Sequence, residues 1–135
     1  MTCVNIQIRF ADVDSLGHVN NVNLQHYFDL GKNYYFRDVL HIGIGWKKIG
    51  PITAATNTSY FEQTRLDDDI RVETEVEKVG NKSMIFQQRI IHNATGKIHS
   101  ESRSVMVAFD FERQESVPVP DDWRKIMEEG VEISG

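Results

Sequence analysis

Residues 12–40 read DVDSLGHVNNVNLQHYFDLGKNYYFRDVL, and the two halves of this stretch follow different rules. In the second half Leu24, Tyr27, Phe28, Leu30, Tyr34, Tyr35 and Leu40 recur at spacings of three and four, which predicts a helix from about residue 20 to residue 40. Such a helix is apolar over much of its circumference, so the rest of the chain must cover it. Gly31 in its middle costs roughly 1 kcal/mol of helix propensity relative to Ala, which points to close packing against a sheet or another helix. The first half places Asp12, Asp14, Gly17, His18, Asn20 and Asn21 at the junction leading into that helix.

Working outward, Val4, Ile6, Ile8 and Phe10 alternate with period two and predict a first strand with one buried face. Beyond the helix, "HIGIGWKKIGPI" supplies three glycines and a proline and predicts an irregular connection. Four strands follow, around "ITAATNTSYFEQ", "IRVETEVEKV", "SMIFQQRIIHN" and "KIHSESRSVMVAFDF", joined by polar turns such as "GNKS" and "NATG" into an antiparallel meander. Near the end, Asp121 or Asp122 is a candidate cap for a short helix ending at Gly130. One long helix followed by an antiparallel run is an α+β arrangement in which the sheet buries the helix. At 135 residues the expectation is one domain spanning residues 1–135.

Composition narrows the function classes. Hydrophobic residues are 40% and charged residues 26% of the chain, an ordinary globular balance. The net charge of −5 is spread out, without a basic block to neutralise phosphates, so nucleic-acid binding is not expected. No apolar run approaches the roughly 20 residues of a membrane span, and "MTCVNIQIRF" alternates where a signal peptide would be continuously apolar, so the expected location is cytoplasmic, away from membranes. Cys3 is the sole cysteine, which rules out an intrachain disulfide. His18, His26, His41, His92 and His99 show no metal-binding spacing, and "GIG" at 43–45 lacks the next glycine of a dinucleotide fingerprint. No metal and no other cofactor is expected.

A helix starting near Val19 or Asn20 leaves its first N–H groups unpaired and carries partial positive charge there, a natural place to stabilise an anion. Asn20 and Asn21 are candidate caps, and Gly17 permits a turn with positive φ. On that reading Asp14 stands upstream as acid, base or nucleophile beside an oxyanion-type site. The residues equally fit plain capping with a surface histidine, and spacing does not choose between the two.

The run Arg9-Phe10-Ala11-Asp12-Val13-Asp14, then Gly17-His18-Val19-Asn20-Asn21 and an aromatic helix, resembles the hotdog-fold thioesterases of the 4-hydroxybenzoyl-CoA thioesterase type. Within them it is most similar to the acyl-CoA thioesterase branch with an Asp-x-x-x-His-Val-Asn-Asn motif. The resemblance extends through "DDDIRVETEVEKVGNKSMIFQQRII", residues 67–91, and covers nearly residues 5 to 120. It implies a long helix wrapped by a curved antiparallel sheet, a homodimer with two interface sites, and a dimer of dimers as a further option. It implies hydrolysis of an acyl-CoA to the free acid and CoA, with Asp14 as nucleophile or general base and the backbone N–H of Asn21 polarising the thioester carbonyl. Gly17, His18 and Asn20 then shape the substrate loop, and Lys82 with Ser83 meets the nucleotide end of CoA, with Arg89 and Arg103 as weaker candidates. Asp12, two residues from Asp14 and on the same face of a continuing strand, is the competitor for the catalytic role. Leu24 stands where the family often has a tyrosine, and Asp29 is the one acidic residue further along, which bears on acyl preference. The rival readings are a non-catalytic acyl-CoA-binding module and, without a matching His and acid pattern, a hotdog hydratase.

Overall fold

A computed structural model describes residues 1–42 and 48–134, with side chains in the last helix to Glu129. The Gly-Ile-Gly segment, with the rest of residues 43–47 of the irregular connection expected there, lies outside the described residues. The elements are β1 (Thr2–Ile6), a 3₁₀ turn (Phe10–Asp12), α1 (Asn21–Asp38), β2 (Ile49–Tyr60), β3 (Ile70–Val79), β4 (Ser83–His92), β5 (Ile98–Asp110), β6 (Glu115–Ser116) and α2 (Asp121–Ser134). No helix among the described residues is long and apolar enough to cross a membrane.

The strands form one antiparallel sheet in the order β1-β3-β4-β5-β2, with β6 added to the end of β5. Only β3, β4 and β5 make the expected meander. β2 crosses to the far side of β5, where Thr58 opposes Ser102, and β1 returns to the opposite edge, where Thr2 opposes Thr74. Alternation decides which side chains face inward: Ile70, Val72, Thr74 and Val76 on β3, and Met84, Phe86, Gln88 and Ile90 on β4, are all buried.

Helix α1 lies across this inner face against β1, β3 and β4, the hotdog arrangement of one long helix on an antiparallel sheet. Its first half packs Leu24, Tyr27 and Phe28 on Ile6, Ile70, Val72 and Ile90. Its second half packs Tyr35 and Phe36 on Met84, Phe86 and Met106, with Trp123 and Met127 of α2 closing the end. Phe86 meets Tyr35 and Phe36 edge-on at centroid distances of 5.2 and 5.6 Å, and burying each such ring contributes about 1.5–3 kcal/mol. The closest approach is at Gly31, where a Cβ would lie 2.7 Å from Val72 Cγ1 and 2.9 Å from Gln88 Nε2. Gly31 therefore sets the helix-to-sheet distance.

Toward β2 the inner face turns polar. Lys32 is 3% exposed, with Nζ 3.5 Å from Ser104 Oγ and 3.4 Å from Asp29. Burial pushes its pKa down, against the pull of Asp29.

Two expectations are corrected. The alternation through Phe10 does not continue the strand: β1 ends at Ile6, and Phe10 is 84% exposed. The Asp12 carboxylate accepts from Arg9 N at 3.1 Å and Arg9 Nη2 at 2.9 Å, which curls the chain into the 3₁₀ turn. The last helix does not stop at Gly130 but runs to Ser134, since a single glycine lowers helix propensity by only about 1 kcal/mol and does not by itself end a helix. Asp121 and Asp122 lie in its first turn rather than at a cap, which suits the positive end of the helix.

Candidate active site

The junction is a small loop closed by antiparallel bridges, Val13 to Val19 and His18 to Arg65. Gly17 turns it with φ +81°, in space that would admit a Cβ, so the glycine serves conformation and not clearance. Asp14 organises the loop: its N–H donates to His18 O at 2.9 Å, and its Oδ1 accepts from Leu16 N at 2.9 Å and His18 N at 3.3 Å. Its Oδ2 has no partner among the described residues, and the side chain is exposed.

Asn20 caps α1, its Oδ1 accepting from Asn23 N at 3.0 Å. That bond satisfies the third helical residue and leaves the N–H of Asn21, the first, without an acceptor among the described residues. No acidic residue sits in the first turn to offset the positive end of the helix. Asp14 and Asn21 line the same cleft, of about 540 Å³, together with His18, Asn20 and Leu24. Its other wall is Tyr60 to Thr64, the end of β2 and the segment that follows it. Leu16, Val22, Tyr60 and Phe61 are exposed apolar side chains at or near this cleft.

Asp12 and Asp14 have opposite environments. Asp12 is 2% exposed and takes the Tyr27 hydroxyl at 2.6 Å besides the two Arg9 bonds. Burial drives its pKa up, but the hydrogen bonds from Arg9 and Tyr27 outweigh that and hold it below the usual carboxylate range. Asp12 thus has no place in the cleft, and the shared strand face expected for the two carboxylates is absent because the strand has ended.

Lys82 and Ser83 do not join the cleft within one protomer. They sit at the β3–β4 turn, whereas the Asp14 loop is at the other end of β4, about 30 Å away at roughly 3.3 Å per residue. Arg89 and Arg103 are on the outer face, paired with Glu75, Glu101 and Glu77. The wall residues Tyr60, Phe61 and Thr64 carried no local signal in the sequence; they reach the loop through Val19 N to Thr64 O at 2.7 Å.

The sequence profile of the thioesterase-like superfamily matches residues 8–127. The chain belongs to that superfamily, and thioester hydrolysis is the activity this membership assigns. It is similar to the acyl-CoA thioesterase YbgC of Haemophilus influenzae, 24% identical over 91 residues, or 65% of this chain and 67% of that protein. Among solved structures it resembles a predicted thioesterase from Bacillus stearothermophilus, with TM-score 0.85, 26% identity, and 96% and 95% of the two chains covered. A thioesterase from Thermus thermophilus complexed with coenzyme A and Zn has TM-score 0.81 and 24% identity, covering 96% and 94%. Groups of three or more metal-ligating side chains are absent among the described residues.

Proposed function

We propose that this protein hydrolyses an acyl-CoA thioester to the free acid and CoA, with Asp14 acting on the thioester carbon and Asn21 N–H receiving the developing oxyanion. The observation that carries this reading is that the free Oδ2 of Asp14 and the unsatisfied N–H at the start of α1 open on one cleft with an apolar rim. The carbonyl oxygen gains charge only on attack, so a donor at a helix N-terminus favours the transition state over the ground state. Asp14 either attacks the carbonyl carbon, expelling CoA as its thiolate and forming a mixed anhydride that water then opens to the free acid and the Asp14 carboxylate, or takes a proton from water that attacks the carbon directly and expels the same thiolate. Gly17, His18 and Asn20 hold the loop and the helix entrance around the thioester. The coenzyme A in the Thermus relative and the name of the Haemophilus one support CoA as the carrier.

Two copies complete the site on this reading. Among the described residues β2 pairs with β5 and with no strand on its other side, and residues 53–57 are exposed along it. A long open edge of that kind invites a partner strand. Antiparallel pairing of β2 with its twofold mate reverses the ends of the sheet, which carries the partner subunit's Lys82 and Ser83 toward this Asp14 cleft for the CoA phosphates. The outer-face charge ladder is available for a second pairing of dimers.

Thiol release from a panel of short, long and aromatic acyl-CoAs tests the proposal, with Asp14→Asn beside the native chain. Turnover that disappears in the variant supports it. Binding of acyl-CoA without turnover in the native protein replaces it with the non-catalytic binding module. Hydroxylamine trapping of an anhydride separates the two chemical routes.

A further inference from the structure

Behind the cleft wall two imidazoles stack. His92 at the end of β4 and His99 at the start of β5 have ring centroids 5.3 Å apart and planes inclined by 24°. His99 is 6% exposed, and its Nδ1 lies 2.9 Å from Thr64 Oγ1, itself buried. Its backbone carbonyl accepts from Phe61 N at 2.8 Å and Glu62 N at 3.1 Å. His99 therefore grips the cleft wall at both ends of the segment 61–64.

Thr64 continues the line. Its carbonyl accepts from Val19 N at 2.7 Å, and the next residue, Arg65, bridges His18. Val19 is followed at once by the cap Asn20 and by Asn21. Two hydrogen bonds and a short run of backbone thus link a buried imidazole to the N–H groups that open α1. An apolar side chain would fill the same space without the desolvation that a histidine incurs.

We infer that His99 is a positioning residue, holding the entrance of α1 against the Asp14 loop through Thr64 while its ring is neutral. The catalytic part of this inference rests on the thioesterase reading; the mechanical part does not. The groups facing His99 are Glu62 from the wall segment and Asp68 from the turn before β3, which favour its cation, and His92 from β4 and Lys97 from the β4–β5 turn, which oppose it; Arg65 lines the same surface cleft. Burial is the largest influence and pushes its pKa below the ordinary 6.5. His92 has its own partners, Asp68 at 3.5 Å and Thr95 Oγ1 at 3.1 Å. Acid therefore charges a buried ring stacked on a second imidazole, and the Thr64 contact then persists only with Nδ1–H donating to the hydroxyl oxygen.

The experiment uses Thr64→Val, His99→Leu and His99→Asn, the last keeping a polar group near the Nδ1 position without a proton equilibrium near neutrality. Two readouts are followed from pH 5 to 8: kcat and KM on the best acyl-CoA, and hydrogen-exchange protection of the Val19 amide, corrected for intrinsic rates. Thr64→Val and His99→Leu are expected to lower both kcat and Val19 protection about tenfold, the scale of one hydrogen bond, with KM within about twofold. His99→Asn is expected to keep neutral-pH kcat and to lose the decline expected of the native protein on acidification. Unchanged Val19 protection in Thr64→Val overturns the inference whatever the activity. Lost protection with native kcat overturns its catalytic part, as does an acid decline identical in His99→Asn. Absence of turnover in the native protein defeats the thioesterase reading instead, and Val19 protection then decides the positioning link by itself.

Discussion

Tyr27 Oη lies 2.6 Å from Asp12 Oδ2, a bond between the first half of α1 and the 3₁₀ turn that leads to the site loop. Burial and this hydrogen bond push the Tyr27 pKa up, and the same bond helps keep Asp12 ionised. Asn23 Nδ2 adds a second tie to the same turn, at 3.1 Å from Asp12 O. The loop bearing Asp14 is thus anchored on its buried side.

Removing that anchor is expected to cost stability and not chemistry. Tyr27→Phe and Asp12→Asn each lose a hydrogen bond to a charged group and should lower unfolding free energy by about 1.5–3 kcal/mol in urea titrations. Because the folded pKa of Asp12 is depressed below the ordinary 3.8, its contribution is present above that pH and is lost as pH falls through the folded value. Acid unfolding below about pH 4 should accordingly be shallower in Asp12→Asn.

Asp14→Asn should behave in the opposite way. The amide oxygen can still accept from Leu16 N and His18 N, so the loop and the melting temperature are retained. Turnover of acyl-CoA should fall by about 10²–10⁴, the range for removal of a positioned acid or base. A larger effect from Asp12→Asn, measured where both variants are folded, would overturn the assignment of the two carboxylates.

Gly31→Ala sets two effects against each other. Helix propensity gains about 1 kcal/mol, but the added Cβ meets Val72 Cγ1 at 2.7 Å, Gln88 Nε2 at 2.9 Å and Thr74 Oγ1 at 3.0 Å. These atoms are buried, and overpacking of this kind costs about 1–3 kcal/mol. A net loss of stability is expected in chemical denaturation.

Lys32→Met is expected to leave stability at neutral pH unchanged or raised. The native side chain keeps an ammonium out of water beside Ser104, with a folded pKa below 10.5. For such a group the unfolded chain binds the proton more tightly, so native stability rises as pH climbs from the folded pKa toward 10.5. That rise should be absent in Lys32→Met, as read by thermal melts across pH 8 to 11.

What the sequence makes legible follows the range of the forces involved. α1 is readable because Leu24, Tyr27, Phe28, Tyr35 and Phe36 share one buried face, although Leu30 of the same apolar pattern is exposed, and β3 because Ile70, Val72, Thr74 and Val76 alternate over a fully covered surface. Gly31 announces close packing through its propensity cost alone. Phe10 misleads because it keeps the period of β1 while the Asp12 carboxylate, two residues later, bends the chain away. The Asp14 to Asn21 junction is local and stands out. The far wall, from Tyr60 to Thr64, and the His99 contact behind it depend on pairings across the fold that no local pattern encodes. The buried Lys32 is likewise invisible in a helix whose charged residues otherwise face water.

The strand order has a consequence for how the chain acquires its structure. β3, β4 and β5 are neighbours in both sequence and sheet, so short loop closures suffice to assemble them. β1 and β2 emerge earlier during synthesis but pair with later strands: Thr2 waits for Thr74, and Ile49 for Asp110. β1 therefore stays unsatisfied until just over half of the chain is made and β2 until its last third has left the ribosome, and such non-local pairings slow folding relative to a helical bundle of this size. The β2 edge, last to be joined to its own sheet, is the segment most available to a second nascent copy, so self-association and folding compete for the same backbone groups.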